Sequence, residues 1–261
     1  MKKIVIGILL SFIISIGLQA HNLKESIESD HRLTESKERD IYRNPFETLN
    51  FFRITPEMTV VELSPGRGWY TEILAMYMYD YGELIAAPYN PSLGGYAERS
   101  FNNFKAKLDS DEVYKKVRIS YIFEKIAEDN SVDAVLTFRN LHNWLNDDAK
   151  NAKLIFDQSY LALKPGGLFG IVEHRANPGT SLSDMYKSGY VTEELAIKLA
   201  KQAGFELIDK SEVNKNSNDT KDYSTGVWTL PPTYYLKDLD RDKYKNIGES
   251  DRMTLLFQKP L

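Results

Sequence analysis

Residues 60–74 decide the fold, and they read V-V-E-L-S-P-G-R-G-W-Y-T-E-I-L. Residues 58–63 form an apolar run that predicts a strand, with Glu62 inside it. The run breaks at S-P-G-R-G, residues 64–68, and a pattern typical of a helix begins at Trp69. A strand, a glycine turn and a helix form a nucleotide-type cradle in α/β domains, because glycine lets a ligand approach the backbone closely.

Segments typical of strands and of helices alternate along the rest of the chain. Strands are predicted at residues 83–87, 117–122, 132–138, 168–173, 205–213 and 253–258, and helices at residues 69–79, 94–108, 149–163 and 191–204. This alternation predicts an α/β fold with a mostly parallel sheet and helices on both faces. Residues 21–56 are polar and rich in helix formers, so we expect a helical N-terminal lead-in before a domain at residues 57–261.

The composition is that of a globular protein, with 261 residues, 42% of them hydrophobic and 27% charged. The formal net charge is -4 and no long block of Lys or Arg occurs, which argues against nucleic acid as a partner. The chain has no Cys, which excludes disulfides, thiolate chemistry and zinc held by cysteines. We therefore expect stability to come from the apolar core.

The N-terminus has the pattern of a signal peptide. Lys2 and Lys3 precede an apolar run at residues 4–18, and L-Q-A at residues 18–20 offers a small residue for cleavage. The alternative is a membrane anchor, but the run is shorter than the roughly 20 apolar residues that a spanning helix needs. We predict a signal peptide at residues 1–20, export to the periplasm or the exterior, and no stable membrane span after cleavage.

Three motifs, in this order, resemble those of the class I S-adenosylmethionine (SAM)-dependent methyltransferases. They are V-x-E-L-x-x-G-x-G at residues 60–68, D-A-V-L-T at residues 133–137 and L-K-P-G-G at residues 163–167. Two further segments, F-R-N-L-H-N-W at residues 138–144 and V-W-T-L-P-P at residues 227–232, resemble the exported methyltransferase group of bacteria. The resemblance covers residue 59 to the C-terminus.

The resemblance implies a Rossmann-like sheet of seven strands whose last strand is antiparallel, with SAM as the cofactor over the glycine turn. The family usually has an acid at the end of the second strand that binds the ribose hydroxyls, whereas this chain has Asn90 close to that point. An amide lacks the charge-assisted hydrogen bonds of a carboxylate. The cofactor-binding residues expected by this resemblance are Glu62, Ser64, Pro65, Gly66, Gly68, Asn90 and Asn140.

His142 is the first candidate for a catalytic base. It follows the fourth strand, and ligands gather at the carboxyl ends of parallel strands. Its segment also resembles the L-H-D-W segment of small-molecule O-methyltransferases, whose histidine is the base, and imidazole titrates near neutral pH. The alternative is that His142 is a hydrogen-bonding cap. His174, at the end of the fifth strand, is a second candidate base.

The predicted substrate contacts are Arg139, Arg175 and Trp144. Arg175 would bind an acidic substrate together with His174, or else belong to an ion-paired loop. Arg139 would contact substrate or cofactor, or else cap the backbone together with Asn140. No metal site is expected, because His142 with Asp147, or Glu173 with His174, provides too few ligands for a three-ligand site.

The sequence thus favours a SAM-dependent methyltransferase that acts on a small molecule, with oxygen as the acceptor. Two alternatives stay open. One is a non-catalytic module that binds SAM or another small molecule on the same fold. The other is a Rossmann-type oxidoreductase, which is disfavoured because Trp69, Tyr70 and Thr71 follow the second glycine and the third glycine of G-x-G-x-x-G is missing.

Overall fold

A computed structural model of the chain describes residues 22–261, except for the side chain of Asp147. The predicted signal peptide lies outside the described residues. Within residues 22–261, no helix has both the length and the apolar composition that crossing a membrane requires.

Seven strands form one mixed sheet in the order β3-β2-β1-β4-β5-β7-β6. The strands are β1 (Thr59–Leu63), β2 (Glu83–Ala87), β3 (Arg118–Ile119), β4 (Val132–Phe138), β5 (Leu163–His174), β6 (Glu206–Ser211) and β7 (Arg252–Gln258). The first five strands in this order, β3, β2, β1, β4 and β5, pair in parallel with their neighbours. Strand β7 pairs antiparallel with both β5 and β6. The predicted α/β fold with an antiparallel last strand is therefore confirmed.

Ten α-helices lie within the described residues. Four are in the lead-in: α1 (Leu23–Glu28), α2 (Thr34–Lys37), α3 (Asp40–Arg43) and α4 (Pro45–Phe51). Six lie between strands: α5 (Trp69–Tyr77), α6 (Gly95–Leu108), α7 (Asn146–Ala162), α8 (Leu182–Ser188), α9 (Glu193–Ala203) and α10 (Arg241–Ile247).

Two strands differ most from their predicted bounds. The third strand has only two residues rather than six, and both are exposed at the sheet edge, where β3 has β2 as its neighbour. The fifth strand begins at Leu163 rather than residue 168, because Leu163 pairs with Val132 before the register shifts. The L-K-P-G-G segment therefore lies inside β5 in the folded chain.

The sheet separates two apolar layers, and the alternation of side chains along each strand supplies both. Val61 and Val135 face the layer that contains the buried residues of α7 and α9. Val60 and Ala134 face the opposite layer, which contains the buried residues of α5. The central strands are thus apolar on both faces, as buried parallel strands require.

The lead-in packs against the second layer. Leu49 and Phe52, in and after α4, are fully buried there. The indole Nε1 of Trp69 donates to the carbonyl oxygen of Ser36 at 2.9 Å, and the Arg43 guanidinium lies 4.5 Å from the Trp69 ring centre. These contacts bring α3 to the edge of the sheet where β1 and β4 end.

Candidate active site

The segments that follow β1, β4 and β5 meet at one edge, because parallel strands end on the same side of a sheet. Asn140 joins two of these segments. Its side-chain amide donates to the carbonyl oxygens of Leu63 at 3.2 Å and Ser64 at 3.1 Å. The turn after β1 is therefore fixed to the end of β4.

The two glycines of the turn have different surroundings, although both adopt left-handed backbone angles. Gly66 has φ of 61°, and a Cβ there would meet no atom within 4 Å. Gly68 has φ of 76°, and a Cβ there would lie 2.8 Å from Cδ of Lys107 and 3.1 Å from Cε2 of Phe104. Gly66 leaves space for a ligand against the backbone, whereas Gly68 lets α6 pack against the turn.

A cavity of about 410 Å³ opens beside this turn. This volume is within the range of small-molecule sites. Its other walls come from the end of β5, from the segment around Trp228 and from the cis peptide Pro231-Pro232. Seven of the residues expected at the site line it together: Ser64, Pro65, Gly66, Arg139, Asn140, His142 and His174.

His142 and Glu173 form a buried hydrogen-bonded pair at the cavity. The Nδ1 atom of His142 lies 3.0 Å from Oε1 of Glu173, and the peptide N–H of His142 donates to Oε2 at 3.2 Å. Glu173 has no exposed surface. A carboxylate accepts hydrogen bonds, so the proton belongs on Nδ1, and Nε2 keeps the lone pair that can take a proton.

His174 lies beside His142, with 5.3 Å between the ring centres. Its Nδ1 is hydrogen-bonded to the hydroxyl of Ser250. Burial, and then the charge of His142, hold the pKa of His174 well below its ordinary value. His174 is therefore a neutral ring at physiological pH, and its partner is a hydroxyl rather than the carboxylate that orients His142.

Three potential metal ligands also come together at this point. Ligand atoms of His142, Glu173 and His174 all lie within 4.8 Å of one another, although the sequence pairs gave no three-ligand site. The oxygens of Glu173 already accept from the peptide N–H of His174 and from both N–H groups of His142. With both oxygens engaged in this way, the arrangement favours an oriented imidazole.

Glu62 lies beneath the glycine turn. It is 2% exposed, and its Oε2 accepts from the hydroxyl of Thr71 at 2.6 Å. Burial raises the pKa of Glu62 to about 7, with the nearby charge of Glu72 acting in the same direction against the Thr71 hydrogen bond. Its contact ties β1 to α5, the two elements on either side of the turn.

Both polar side-chain atoms of Asn90 are hydrogen-bonded. Its Oδ1 accepts from the peptide N–H of Ser92 at 2.9 Å, and its Nδ2 donates to Oε1 of Glu124 at 2.6 Å. Glu124 therefore brings a carboxylate to the end of β2, where the sequence next to the strand has none. The large separation of the two residues along the chain explains why sequence patterns did not reveal this acid.

Trp144 and Arg175, expected as substrate contacts, do not line this cavity. Trp144 is 0% exposed and packs in the apolar layer with the α7 residues, so it has no surface for a substrate in this conformation. Arg175 binds Asp251 through two nitrogens and also pairs with Glu193 and Glu212. These three carboxylates raise its pKa and fit the alternative interpretation of an ion-paired loop.

We define the arginine cluster as Arg39, Arg43, Arg139 and Arg252 around Glu249; all of these residues except Arg252 line the remaining wall of the cavity. Their closest distances to the Glu249 carboxylate oxygens are 2.6, 3.5, 3.9 and 3.3 Å respectively. Of these arginines only Arg139 was predicted from the sequence; Arg252 and the two arginines of the lead-in, Arg39 and Arg43, were not. The spacing of four residues between Arg39 and Arg43, which places side chains on one helix face, was the available pattern.

This chain resembles known proteins in its fold rather than in its sequence. The chain matches no protein-family model and no curated protein sequence. Solved structures do match, among them a SAM-dependent methyltransferase from Aquifex aeolicus, with a TM-score of 0.56 and 15% identity over 87% of this chain and 97% of that one. The fold is therefore structurally similar to that of class I SAM-dependent methyltransferases, and the sheet order is typical of that class.

Two further matches show how wide this similarity is. The [4+2]-cyclase SpnF has a TM-score of 0.60 at 16% identity, over 92% of each chain. An arsenic(III) SAM methyltransferase from Chlamydomonas reinhardtii has a TM-score of 0.50 at 14% identity, over 92% of this chain and 73% of that one. Since these proteins are described by different reactions, the shared fold alone does not define the chemistry.

Proposed function

We propose that this protein is a SAM-dependent methyltransferase that acts on a hydroxyl of a small molecule. The observation that carries the proposal is the His142–Glu173 pair, because its histidine lines the same cavity as the glycine turn while Glu173 is buried behind it. A general base beside a cofactor turn is the arrangement that methylation of a hydroxyl requires. The structural similarity to methyltransferases supports the choice of cofactor.

The residues at the turn fit SAM. The open space at the Gly66 Cα lets a ligand lie against the backbone, and Ser64, Pro65 and Asn140 line the same cavity. Asn90 and Glu124 would hold the ribose hydroxyls, since together they offer an amide and a carboxylate. When bound, SAM supplies a methyl group on a sulfonium, from which a neutral thioether departs.

A side chain of the protein accepts the proton that the substrate hydroxyl loses. Nε2 of His142 would accept the proton of the substrate hydroxyl while the oxygen forms its bond to the methyl carbon. Glu173 holds the ring by Nδ1 and stabilises the positive charge that the imidazole then carries. The buried end of β5 keeps Glu173 out of water, which strengthens this interaction.

One observation favours the alternative of a binding module without turnover. Both polar atoms of Asn90 are already hydrogen-bonded to Ser92 and Glu124, so the ribose would compete for them.

We also propose that residues 1–20 direct export and are removed. Sequencing the N-terminus of the protein recovered from the periplasm or medium would test this, with a first residue near position 21 expected.

Titration calorimetry tests the cofactor directly. We expect SAM and its demethylated product to bind the purified chain, and the absence of heat at millimolar SAM would refute a SAM site. Turnover is then measured by transfer of a labelled methyl group to a panel of small hydroxyl compounds. Transfer to none of them, with SAM bound, would favour the binding module.

The base is tested by His142→Ala, with His31→Gln as the control because His31 lies outside the cavity and binds the carbonyl oxygen of Glu72. We expect His142→Ala to reduce kcat by about 10²-fold or more while the Kd for SAM stays unchanged. Glu173→Ala should give a smaller loss, and nitrogen NMR should show that the ring no longer prefers the proton on Nδ1. Unchanged turnover in His142→Ala would exclude its role as base.

A further inference from the structure

The arginine cluster holds more positive charge than its own carboxylate balances. Four guanidinium groups surround Glu249, whose side chain is 4% exposed. Burial alone would raise the pKa of Glu249, but Arg43, Arg252 and Arg139 outweigh it and lower the pKa to about 2. The cluster therefore carries a formal excess of three positive charges beside the cavity, because four cations face one anion.

The same cluster has hydrogen-bond donors that the folded chain leaves unused. Among the described residues, Nη1 of Arg43 and Nη2 of Arg39 are buried without a hydrogen-bond partner, and Nε of Arg43 has only the longer 3.5 Å contact with Glu249. The Arg43 side chain is 2% exposed, and both residues line the cavity. Buried guanidinium nitrogens are almost always hydrogen-bonded, so these donors point to an acceptor that arrives with a ligand.

Burial shifts the pKa values of these cations. Burial, and then the charge of Arg139, hold the pKa of Arg43 well below its ordinary value. Burial likewise lowers the pKa of Arg139 to about 10, against the opposing effect of Glu249. An anion placed between the two side chains would favour their charged forms and offset the cost of burying them.

We propose that the arginine cluster binds the acidic group of the methyl acceptor, so that the substrate is an anion carrying a carboxylate or a phosphate together with a hydroxyl. The cluster comes from α3, from the segment after β4 and from the start of β7. At the ends of the strands where the cavity lies, the cluster is on the side of β4 and β7. The residues expected to hold the ribose follow β2, which lies on the other side of β1. An acid held there shares its cavity with His142.

Assigning the anion to the acceptor rests on the proposed function, but anion binding itself does not need SAM. The first experiment therefore uses the chain without cofactor and compares sodium phosphate and sodium acetate with sodium chloride at equal ionic strength. Binding of an anion to the folded state raises Tm by mass action. We expect a higher Tm in phosphate or acetate than in chloride. The anion that gives the larger rise in Tm identifies the acidic group.

Arg139→Gln and Arg39→Gln test the cluster, with Arg118→Gln as the matched control at an exposed ion pair to Glu83. We expect each cluster variant to bind the preferred anion about ten-fold or more weakly than the wild type, and the control to bind it as the wild type does. Arg139→Lys should recover part of the affinity. An equal response of all variants, or no preference over chloride in the wild type, would overturn the proposal.

Glu249→Gln provides a test in the opposite direction. Removing the internal carboxylate leaves four cations without a counter-ion, so we expect a larger rise in Tm with the preferred anion than in the wild type. A smaller rise would contradict the proposal, because it would mean that Glu249 only maintains the structure.

Adding SAM separates the acceptor from the cofactor. We expect the anion and SAM to bind together, and Arg139→Gln to leave the Kd for SAM unchanged. If SAM abolishes the anion response, and Arg139→Gln weakens SAM, the cluster holds the carboxylate of the cofactor and the proposal is wrong. Anion binding in a chain that fails to bind SAM would refute the proposed function while leaving the anion site in place.

Discussion

Glu62 is a fully buried acid whose hydrogen-bond partner is the hydroxyl of Thr71. Its pKa is raised from an ordinary value of 4.5 to about 7. Between these two pH values the folded chain holds a proton that the unfolded chain releases, so the free energy of unfolding falls as pH rises through this window. The charge of Glu62 at higher pH therefore opposes folding.

Glu62→Gln should remove this dependence. We expect the variant to gain up to roughly 3 kcal/mol over the wild type at pH 8, and little at pH 4.5, because the gain is the cost of ionising the buried acid. Urea denaturation at a series of pH values measures it, with Glu83→Gln as a partly exposed control. Parallel curves for wild type and Glu62→Gln would contradict the assignment.

Single residues also show where sequence patterns stop being informative. His142 could be predicted because it lies in a recognisable segment after an apolar strand. Its partner Glu173 could not, because 31 residues separate them and only the pairing of β4 with β5 brings them together. Trp144 shares the segment of His142, yet it points into the core, and a sequence pattern does not state which way each side chain faces.

Among the secondary-structure elements, the turn between β1 and α5 allows a matched pair of substitutions. Gly66→Ala and Gly68→Ala each force alanine into a left-handed conformation, at a cost of about 1–2 kcal/mol. Only Gly68→Ala also collides with the side chains of α6. We expect Gly68→Ala to be the less stable in denaturation, and Gly66→Ala to lose more affinity for SAM in calorimetry. The reverse order in both measurements would show that the turn does not hold the cofactor.

Arg175 connects elements that are far apart along the chain. It joins the end of β5 to α9, to the segment after β6 and to the segment before β7, through Glu193, Glu212 and Asp251. We expect Arg175→Leu to cost about 3 kcal/mol of unfolding free energy, because Asp251 is buried and loses its main partner. Arg118→Gln, at an exposed pair, should cost less than about 1 kcal/mol. Equal costs would contradict the role of Arg175 as a connection.

For the whole molecule, the sequence was sufficient to predict the seven strands and four of the six helices between them, but not α8 and α10. The period-2 and helical patterns of buried elements are local, and β2 and β4 were predicted at their observed bounds. The lead-in was predicted to be helical, and it forms four short helices whose positions depend on contacts with Trp69 and α5. The four-residue spacing of Arg39 and Arg43 places both on one helix face, but such a pattern does not tell which part of the protein that face contacts.

The position of α3 therefore has a consequence for dissecting the protein. A chain shortened to residues 57–261 would keep every strand and every methyltransferase-like motif, but it would lack Arg39 and Arg43 and would uncover the indole of Trp69. We expect the shortened chain to aggregate or to lose its affinity for acidic ligands even where its circular dichroism remains native-like. The boundary that motifs suggest at residue 56 cuts through the lining of the cavity, and a domain transplanted without the first helices would lack the wall that Arg39 and Arg43 provide.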